Sequence, residues 1–197
     1  MNTWEIITVG CFGLGLAASC GFRVFVPLLV GGIAARADMM PITEGFEWIS
    51  STPAIVLFSI ATVLEISAYY LPWLDNLLDT IAVPAATVAG IIVTAAFVHD
   101  VDPILRWALA AIAGGGTAGV INAGTATIRA TSSLFTGGLG NFVVSTLELI
   151  AAFALSILAF LLPMFAAVLG VILAIILFRF AIGFFSRKKD VKTAVAG

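Results

Sequence analysis

Charged side chains are scarce in this sequence. Lysine, arginine, aspartate and glutamate supply 10% of its 197 residues, whereas 61% of the residues are hydrophobic. An average soluble domain is about 25% charged, and so few charges could not cover the surface of a water-soluble domain of this length. The composition therefore excludes a soluble enzyme, a disordered chain and a nucleic-acid-binding protein.

Cysteine and histidine are almost absent as well. Cys11 and Cys20 both lie in the first apolar run, and we expect them to be buried as small hydrophobic residues rather than joined by a disulfide. The single histidine, His99, has no cysteine or second histidine nearby in the sequence, so no metal-ligand spacing exists. We expect no cofactor other than a bound cation or lipid.

Long apolar runs are what the sequence has in abundance. They are continuous and close to the length of about 20 residues that crosses a bilayer as a helix. Six such runs cover residues 6–35, 53–71, 81–98, 104–128, 142–162 and 164–185. We therefore predict an all-α polytopic membrane protein with about six transmembrane helices. Residues 1–185 would form a single transmembrane domain, and residues 186–197 a basic cytoplasmic tail.

The first run is too long for one straight span. Its roughly 30 residues would form a helix of about 45 Å, against a hydrocarbon core of about 30 Å. Gly21 loosens the helix within Ser19–Arg23, and Pro27 removes a backbone donor. We predict a broken first helix, and either one broken span or a span followed by a re-entrant segment would satisfy the pattern.

Basic residues predict the orientation of the chain in the membrane. Four of them, Arg187, Lys188, Lys189 and Lys192, follow the last apolar run, and we expect that tail to be cytoplasmic. Six spans would then place both termini in the cytoplasm and the acidic loop 36–52 outside, in a bacterial inner membrane.

Two short matches suggest that the chain contains two related halves. In each half, a run of small residues ends in an arginine, Arg23 or Arg129, and a later segment carries a glutamate, Glu65 or Glu148. The halves would be 6–98 and 104–185, and the matched segments are 17–23 with 123–129 and 62–66 with 145–149. Three helices per half would make the repeat inverted, as in many secondary transporters.

Those four charged residues are the first site candidates, because a charge inside a span costs a few kcal/mol or more and marks function by default. Arginine–glutamate pairs, within each half or between the halves, would neutralise Arg23, Glu65, Arg129 and Glu148 together. Such pairs would either only lock helices in place or let a carboxylate exchange its arginine for a proton or cation during transport.

A second group of candidates lies in segment 71–80. Asp75 and Asp79 are four positions apart and would share one helix face, with Asn76 beside them. Clustered oxygen atoms suit a hard cation, so the two aspartates are candidate metal ligands. The alternative is that they complement the dipole at a helix N-terminus.

Two asparagines complete the predicted pathway. Asn122 would line a polar path in the fourth run, and Asn141 ends a glycine-rich loop at the start of the fifth. The spacing of Gly115 and Gly119 favours close helix packing instead of a site. Small-residue faces of this kind would also suit a homo-oligomer.

Three motifs give the chain a resemblance to a known family. They are residues 20–25 (Cys-Gly-Phe-Arg-Val-Phe), 72–79 (Pro-Trp-Leu-Asp-Asn-Leu-Leu-Asp) and 137–141 (Gly-Gly-Leu-Gly-Asn). The chain resembles the bacterial membrane proteins classed as domain of unknown function 4126, over most of residues 6–185. That family usually has a second acidic residue directly after the glutamate that matches Glu148, where this chain has Leu149. The resemblance implies the span layout and no activity.

These observations predict a small secondary transporter or channel for a small solute or cation, coupled to protons through intramembrane carboxylates. The alternative of a different class is a non-catalytic structural or lipid-binding membrane protein. An intramembrane lipid-modifying enzyme that uses Asp75 and Asp79 has the least support. Membrane lipids, a small solute or cation, and further copies of the chain are the expected partners.

Overall fold

A computed structural model describes residues 3–68, 72–137 and 139–196; the side chains of residues 3, 72–77, 79–80 and 185–196 lie outside that description. The described backbone is helical and contains no strand. The all-α fold class is therefore confirmed.

The described chain forms eight α-helices. They are α1 (Thr3–Cys20), α2 (Phe25–Arg36), α3 (Thr52–Ala68), α4 (Pro72–Phe97), α5 (Pro103–Leu109), α6 (Gly116–Thr136), α7 (Leu139–Leu161) and α8 (Pro163–Ala196). A short 3₁₀ turn, Glu47–Ser50, precedes α3, and a π-helical turn, Ala110–Gly115, joins α5 to α6.

Three of the described helical stretches are long and apolar enough to cross a membrane. These stretches are Pro103–Thr136, Leu139–Leu161 and Pro163–Phe184. Four further apolar helices are shorter: Trp4–Cys20, Phe25–Arg36, Thr52–Ala68 and Ile81–Phe97. Helix length and composition thus support a membrane-spanning protein without establishing six full spans.

The first apolar run is a helical hairpin. Its break lies in the predicted segment, since α1 ends at Cys20 and α2 begins at Phe25. Beyond the break α2 folds back along α1, so that a Cβ atom on Gly31 would lie 3.1 Å from Cδ1 of Leu16. The run is therefore not one continuous helix that bends. We call residues 21–24, where the chain reverses, the hairpin tip.

The hairpin tip lies inside the helix bundle. Three residues before the tip, Ala18 contacts Gly170, whose added Cβ would lie 2.5 Å from the Cβ of Ala18. Gly170 is seven residues from the start of the apolar stretch Pro163–Phe184 of α8. Since a helix rises about 1.5 Å per residue, the tip lies close to the middle of that stretch.

Helices α1 and α8 run in the same direction. Gly15 lies beside Ala166, and Ala18 lies beside Gly170, so residue numbers increase together along the two helices. The start of α1 and the end of α8 consequently lie at opposite ends of the bundle. The side of the membrane on which each terminus lies stays a prediction.

The two pairs of matched segments behind the predicted repeat differ in the relative direction of their helices. α4 is antiparallel to both α1 and α6, so these two helices, which carry the matched arginine segments, run the same way. The contacts pair Phe12 with Phe97, Gly13 with Thr94, Gly114 with Thr94, and Gly119 with Thr87.

The matched glutamates, in contrast, lie on helices that run in opposite directions. α3 is antiparallel to α2, because Glu65 meets the start of α2 while Arg36, at its end, contacts Thr52. α2 and α7 run together, from Ser145 beside the hairpin tip to Ile157 beside the end of α2. In an inverted repeat, the two helices of each matched pair would run in opposite directions. Only the glutamate-bearing helices do so, and the alignment that suggested an inverted repeat is therefore not supported.

Glycines hold α4 and α6 close together. A Cβ on Gly115 would lie 2.7 Å from Cγ1 of Ile91, and one on Gly119 would lie 2.5 Å from Oγ1 of Thr87. Both distances are too short for a real Cβ contact without movement of the neighbour. The close packing that the Gly115–Gly119 spacing predicts is confirmed.

Candidate functional site

An ion pair between α6 and α7 lies at the centre of the bundle. Nη1 of Arg129 donates a hydrogen bond of 2.6 Å to Oε1 of Glu148 and a second one to Oε2. Arg129 is 1% exposed and Glu148 is 4% exposed. Removing two charges from solvent costs several kcal/mol per ion, so their direct pairing is what makes this burial tolerable.

The hairpin tip adds a second arginine to the same carboxylate. Nη2 of Arg23 lies 3.7 Å from Oε2 of Glu148 and donates a 2.7 Å hydrogen bond to the carbonyl oxygen of Ser145. Arg23 is itself 2% exposed. Glu148 is therefore shared between an arginine of the hairpin and an arginine of α6, which are distant in the sequence.

Glu65, on α3, caps the beginning of α2. Its Oε1 accepts a hydrogen bond of 2.8 Å from the amide of Val24, and its Oε2 accepts one of 3.1 Å from the amide of Phe25. A carboxylate at a helix N-terminus satisfies amides that have no partner within the helix and complements the helix dipole.

We call Arg23, Glu65, Arg129 and Glu148 the charge quartet. The sequence predicted all four as site residues, and the structure brings them around the hairpin tip. Their formal charges balance, with two cations and two anions. The structure also fixes a partnership that spacing could not give: Glu148 serves both arginines, while Glu65 binds backbone amides.

Polar side chains from α6 and α7 surround the hairpin tip. Nδ2 of Asn122 donates a hydrogen bond of 3.1 Å to the carbonyl oxygen of Gly21, which the helix break leaves without an intrahelical partner. Asn122 thus contacts the tip, and the polar path that the sequence analysis expects it to line stays a prediction. In the described part of the chain, Oδ1 of Asn122 and Oγ of Ser145 are buried and have no hydrogen-bond partner.

Sequence reasoning missed the serines that tie the hairpin to α7. Oγ of Ser19 donates a hydrogen bond of 2.7 Å to the carbonyl oxygen of Ala152 and lies 2.7 Å from Oγ of Ser156. Ser19 and Ser156 are fully buried, and Ser145, which lies beside the hairpin tip, is almost fully buried. Small hydroxyl residues are common between membrane helices, so only their contact with the broken helix distinguishes them.

The remaining candidate residues either lie away from the hairpin tip or have side chains outside the described residues. Asn141 is at the start of α7, where its Nδ2 contacts Oγ of Ser133 at 2.9 Å, two turns before Glu148. The side chains of Asp75, Asn76 and Asp79 lie outside the described residues, so the cation site there stays a prediction. No group of three or more potential metal ligands occurs in the part of the chain whose side chains are described.

A cleft opens between α3 and α4. Its volume is about 440 Å³, and its lining consists of Val24, Phe25, Ala61, Leu64, Glu65, Ala68, Leu78, Ile81, Ala82 and Ala85. A second cavity of about 470 Å³ continues along α4 and shares Val24, Phe25, Ile81 and Ala85 with the first. We call the two together the lateral cleft. Glu65 is the one charged residue among the described residues that line it.

This geometry allows two kinds of chemistry. Glu148 lies within reach of two arginines, and Glu65 accepts hydrogen bonds from two α2 amides. Both are carboxylates, which are groups that bind protons and hard cations. The unpartnered oxygens of Asn122 and Ser145 offer hydrogen-bonding capacity to a solute or to water at the hairpin tip.

Comparison with known proteins supplies a family. The model of a domain of unknown function, DUF4126, matches residues 11–182, a range that includes the hairpin tip, the charge quartet and the lateral cleft. No curated protein and no solved structure matches the chain. Because the match covers most of the sequence, the chain belongs to the DUF4126 family, whose function is unknown.

Proposed function

We propose that this protein is a small secondary transporter or channel for a small solute or cation, coupled to protons through the charge quartet. The observation that carries the proposal is that Glu148 is shared by two buried arginines at the tip of a helical hairpin. Interrupted helices with paired charges at mid-depth are typical of the binding sites of secondary transporters.

The partnerships within the quartet suit a transport cycle. If Glu148 takes up a proton, its attraction to Arg23 and Arg129 weakens, and the hairpin tip loses one of its ties to α7. If Glu65 takes up a proton, the start of α2 loses a charged cap. Either event would change the contacts of the tip without unfolding a helix, as a gate requires.

The quartet also sits beside polar atoms that a solute could use. The buried oxygens of Asn122 and Ser145 have no partner among the described residues, and an unmade hydrogen bond at a buried group costs about 1–3 kcal/mol. A hydrated cation or small polar solute at the tip would supply the missing partners. This supports a pathway that passes the hairpin tip.

The proposed topology is a re-entrant hairpin followed by five crossings. In it α1 and α2 enter and leave on the same side, and α3, α4, α5 with α6, α7, and α8 each cross the membrane. With the basic tail in the cytoplasm of a bacterial cell, the start of α1 and the loop after α2 face outside. In this topology the loop 36–52 stays outside, as the sequence predicts, and only the N-terminus changes sides.

Flux in proteoliposomes tests the proposal. Purified protein is reconstituted with the pH-sensitive dye pyranine inside, and a potassium diffusion potential is applied. We expect proton uptake above that of empty liposomes, and we expect Glu148→Gln to abolish it while the protein still elutes as a folded species. Glu44→Gln, in an exposed loop, is the matched control and should retain full flux.

The competing interpretation is that the quartet only holds helices together. In that case Glu148→Gln would lower the stability of the protein but leave flux unchanged, or the wild-type protein would move no protons under any imposed gradient. Either result would contradict the transport proposal.

A further inference from the structure

We infer that the lateral cleft binds the apolar tail of a membrane amphiphile, with Glu65 accepting a hydrogen bond from an uncharged or cationic head group. This inference goes beyond the proposed transport function and holds whether or not the charge quartet carries protons. It rests on the apolar gap that is lined by α3, α4 and the hairpin tip with the start of α2, and it shares Glu65 with the quartet.

Apart from Glu65, the described residues that line the cleft are apolar. α3 contributes Ala61, Leu64 and Ala68, and α4 contributes a stripe that runs from Leu78 to Ile92. Small alanines line the floor, so the gap is left by missing side-chain volume between the two helices. Water gains few hydrogen bonds between such walls, whereas a hydrocarbon chain fits them.

The cleft opens among residues that face outwards. Leu64, Ile81 and Val88 on its rims are each more than half exposed. In an apolar helix bundle such side chains contact the hydrocarbon layer rather than water. A tail can therefore enter sideways from the bilayer, without passing through either aqueous face.

Glu65 gives the cleft a defined chemical preference. Its carboxylate lines the wall, and each oxygen accepts one hydrogen bond from the α2 amides. A carboxylate has about four acceptor positions, so capacity remains for a donor from a ligand. Charge complementarity then favours an ammonium or hydroxyl head over an anionic one, which the negative charge of Glu65 would repel.

The size of the cleft agrees with such an occupant. Its two cavities measure about 440 and 470 Å³, within the range of about 300–1,000 Å³ that is typical of small-molecule sites. Because the cavities adjoin along α4, the site is elongated, which suits a chain rather than a compact solute.

Photolabelling tests the inference on the full chain in lipid nanodiscs. The probes are a long-chain alkylamine and a fatty acid of equal length, each with a diazirine in the middle of the chain. We expect the amine to label α3 and α4 peptides about tenfold more than the acid does. Ala85→Phe fills the space shared by both cavities and should remove this labelling. Val63→Phe adds similar bulk to an exposed position of α3 outside the lining and should leave it unchanged.

The variant Glu65→Gln tests recognition of the head group separately from binding of the tail. We expect this variant to keep tail labelling in the cleft but to lose the preference for amine over acid. Labelling spread evenly over the exposed faces of α7 and α8, labelling unaffected by Ala85→Phe, or equal labelling by the two probes in the wild-type protein would each overturn the inference. Proton flux is measured separately, so failure here would leave the transport proposal standing.

Discussion

The guanidinium of Arg129 on α6 and the carboxylate of Glu148 on α7 form a two-bond ion pair that connects these helices. Arg23, from the distant hairpin, reaches the same carboxylate. One glutamate thereby connects three helical elements inside the membrane-embedded bundle. The proposed transport function requires that Glu148 hold these three elements together and that it also release its arginines when it takes up a proton.

Breaking the ion pair from one side should be costly. Arg129→Gln or Glu148→Gln alone would leave a buried charge with fewer partners, and we expect each to lower the free energy of unfolding by about 3 kcal/mol. The double variant should lose less than the sum of the two single losses, because it leaves no uncompensated charge from this pair. Unfolding by a denaturing detergent, followed by circular dichroism, measures all three.

The exposed Arg36 provides the control for this cycle. Its guanidinium contacts Thr52 at the surface, and Arg36→Gln should cost well under about 1 kcal/mol. Strict additivity of the Arg129 and Glu148 substitutions would show that the two residues do not act as a pair.

The cap on α2 should be visible in amide exchange. Glu65→Ala removes the acceptor of the Val24 and Phe25 amides, and hydrogen bonds to a charged group contribute about 1.5–3 kcal/mol each. We expect hydrogen–deuterium exchange at these two amides to accelerate about tenfold or more. Exchange in α7 should stay as it is, and unchanged rates at Val24 and Phe25 would refute the capping role.

Gly21 is required by the close approach of the hairpin tip to α6. An added Cβ would lie 2.5 Å from Cβ of Ile121 and 2.8 Å from the carbonyl oxygen of Ala118. We expect Gly21→Ala to destabilise the protein by about 1–3 kcal/mol through overpacking. Gly10→Ala is the matched control on α1, because nothing lies within 4 Å of its Cβ position. Equal thermal stability of the two variants would contradict the tip packing.

The re-entrant hairpin makes a topological prediction. With Cys11 and Cys20 replaced by alanine, single cysteines are placed at Thr3, at Asp38 after α2, and at Lys192 in the tail. An impermeant maleimide added to spheroplasts should label positions 3 and 38 from the same face and position 192 from the opposite face. Labelling of positions 3 and 38 from opposite faces would show that α1 and α2 cross the membrane as one span.

Much of the fold could be predicted from the sequence. Apolar length and scarcity of charge identify a helical membrane protein, and Gly21 with Pro27 marks the break in the first run. The four residues of the charge quartet could be predicted as site residues because the free-energy cost of a charge within a membrane span is high, so such a charge indicates a function by itself.

The direction of the chain after the break could not be predicted. A helix that continues and a helix that folds back have the same local sequence, and only the contacts of α2 with α1 decide between them. The number of crossings and the side of the N-terminus both depend on that one choice. The repeat that the matched segments around Arg23 and Arg129 suggest is not supported, and short runs of small residues recur by chance in apolar sequences.

The sequence also could not show which groups the charged side chains contact. Spacing gave arginines and glutamates, but it could not show that Glu65 binds amides while Glu148 takes both arginines. The lateral cleft left no trace in the sequence, because alanines such as Ala61 and Ala85 also occur in tightly packed helices.

Proton flux into pyranine-loaded proteoliposomes, compared between the wild-type protein, Glu148→Gln and Glu44→Gln, decides whether the charge quartet moves protons. We predict flux for the wild-type protein and for Glu44→Gln, and none above the empty-liposome rate for folded Glu148→Gln. Equal flux in all three proteins, or no flux in the wild-type protein, would contradict it.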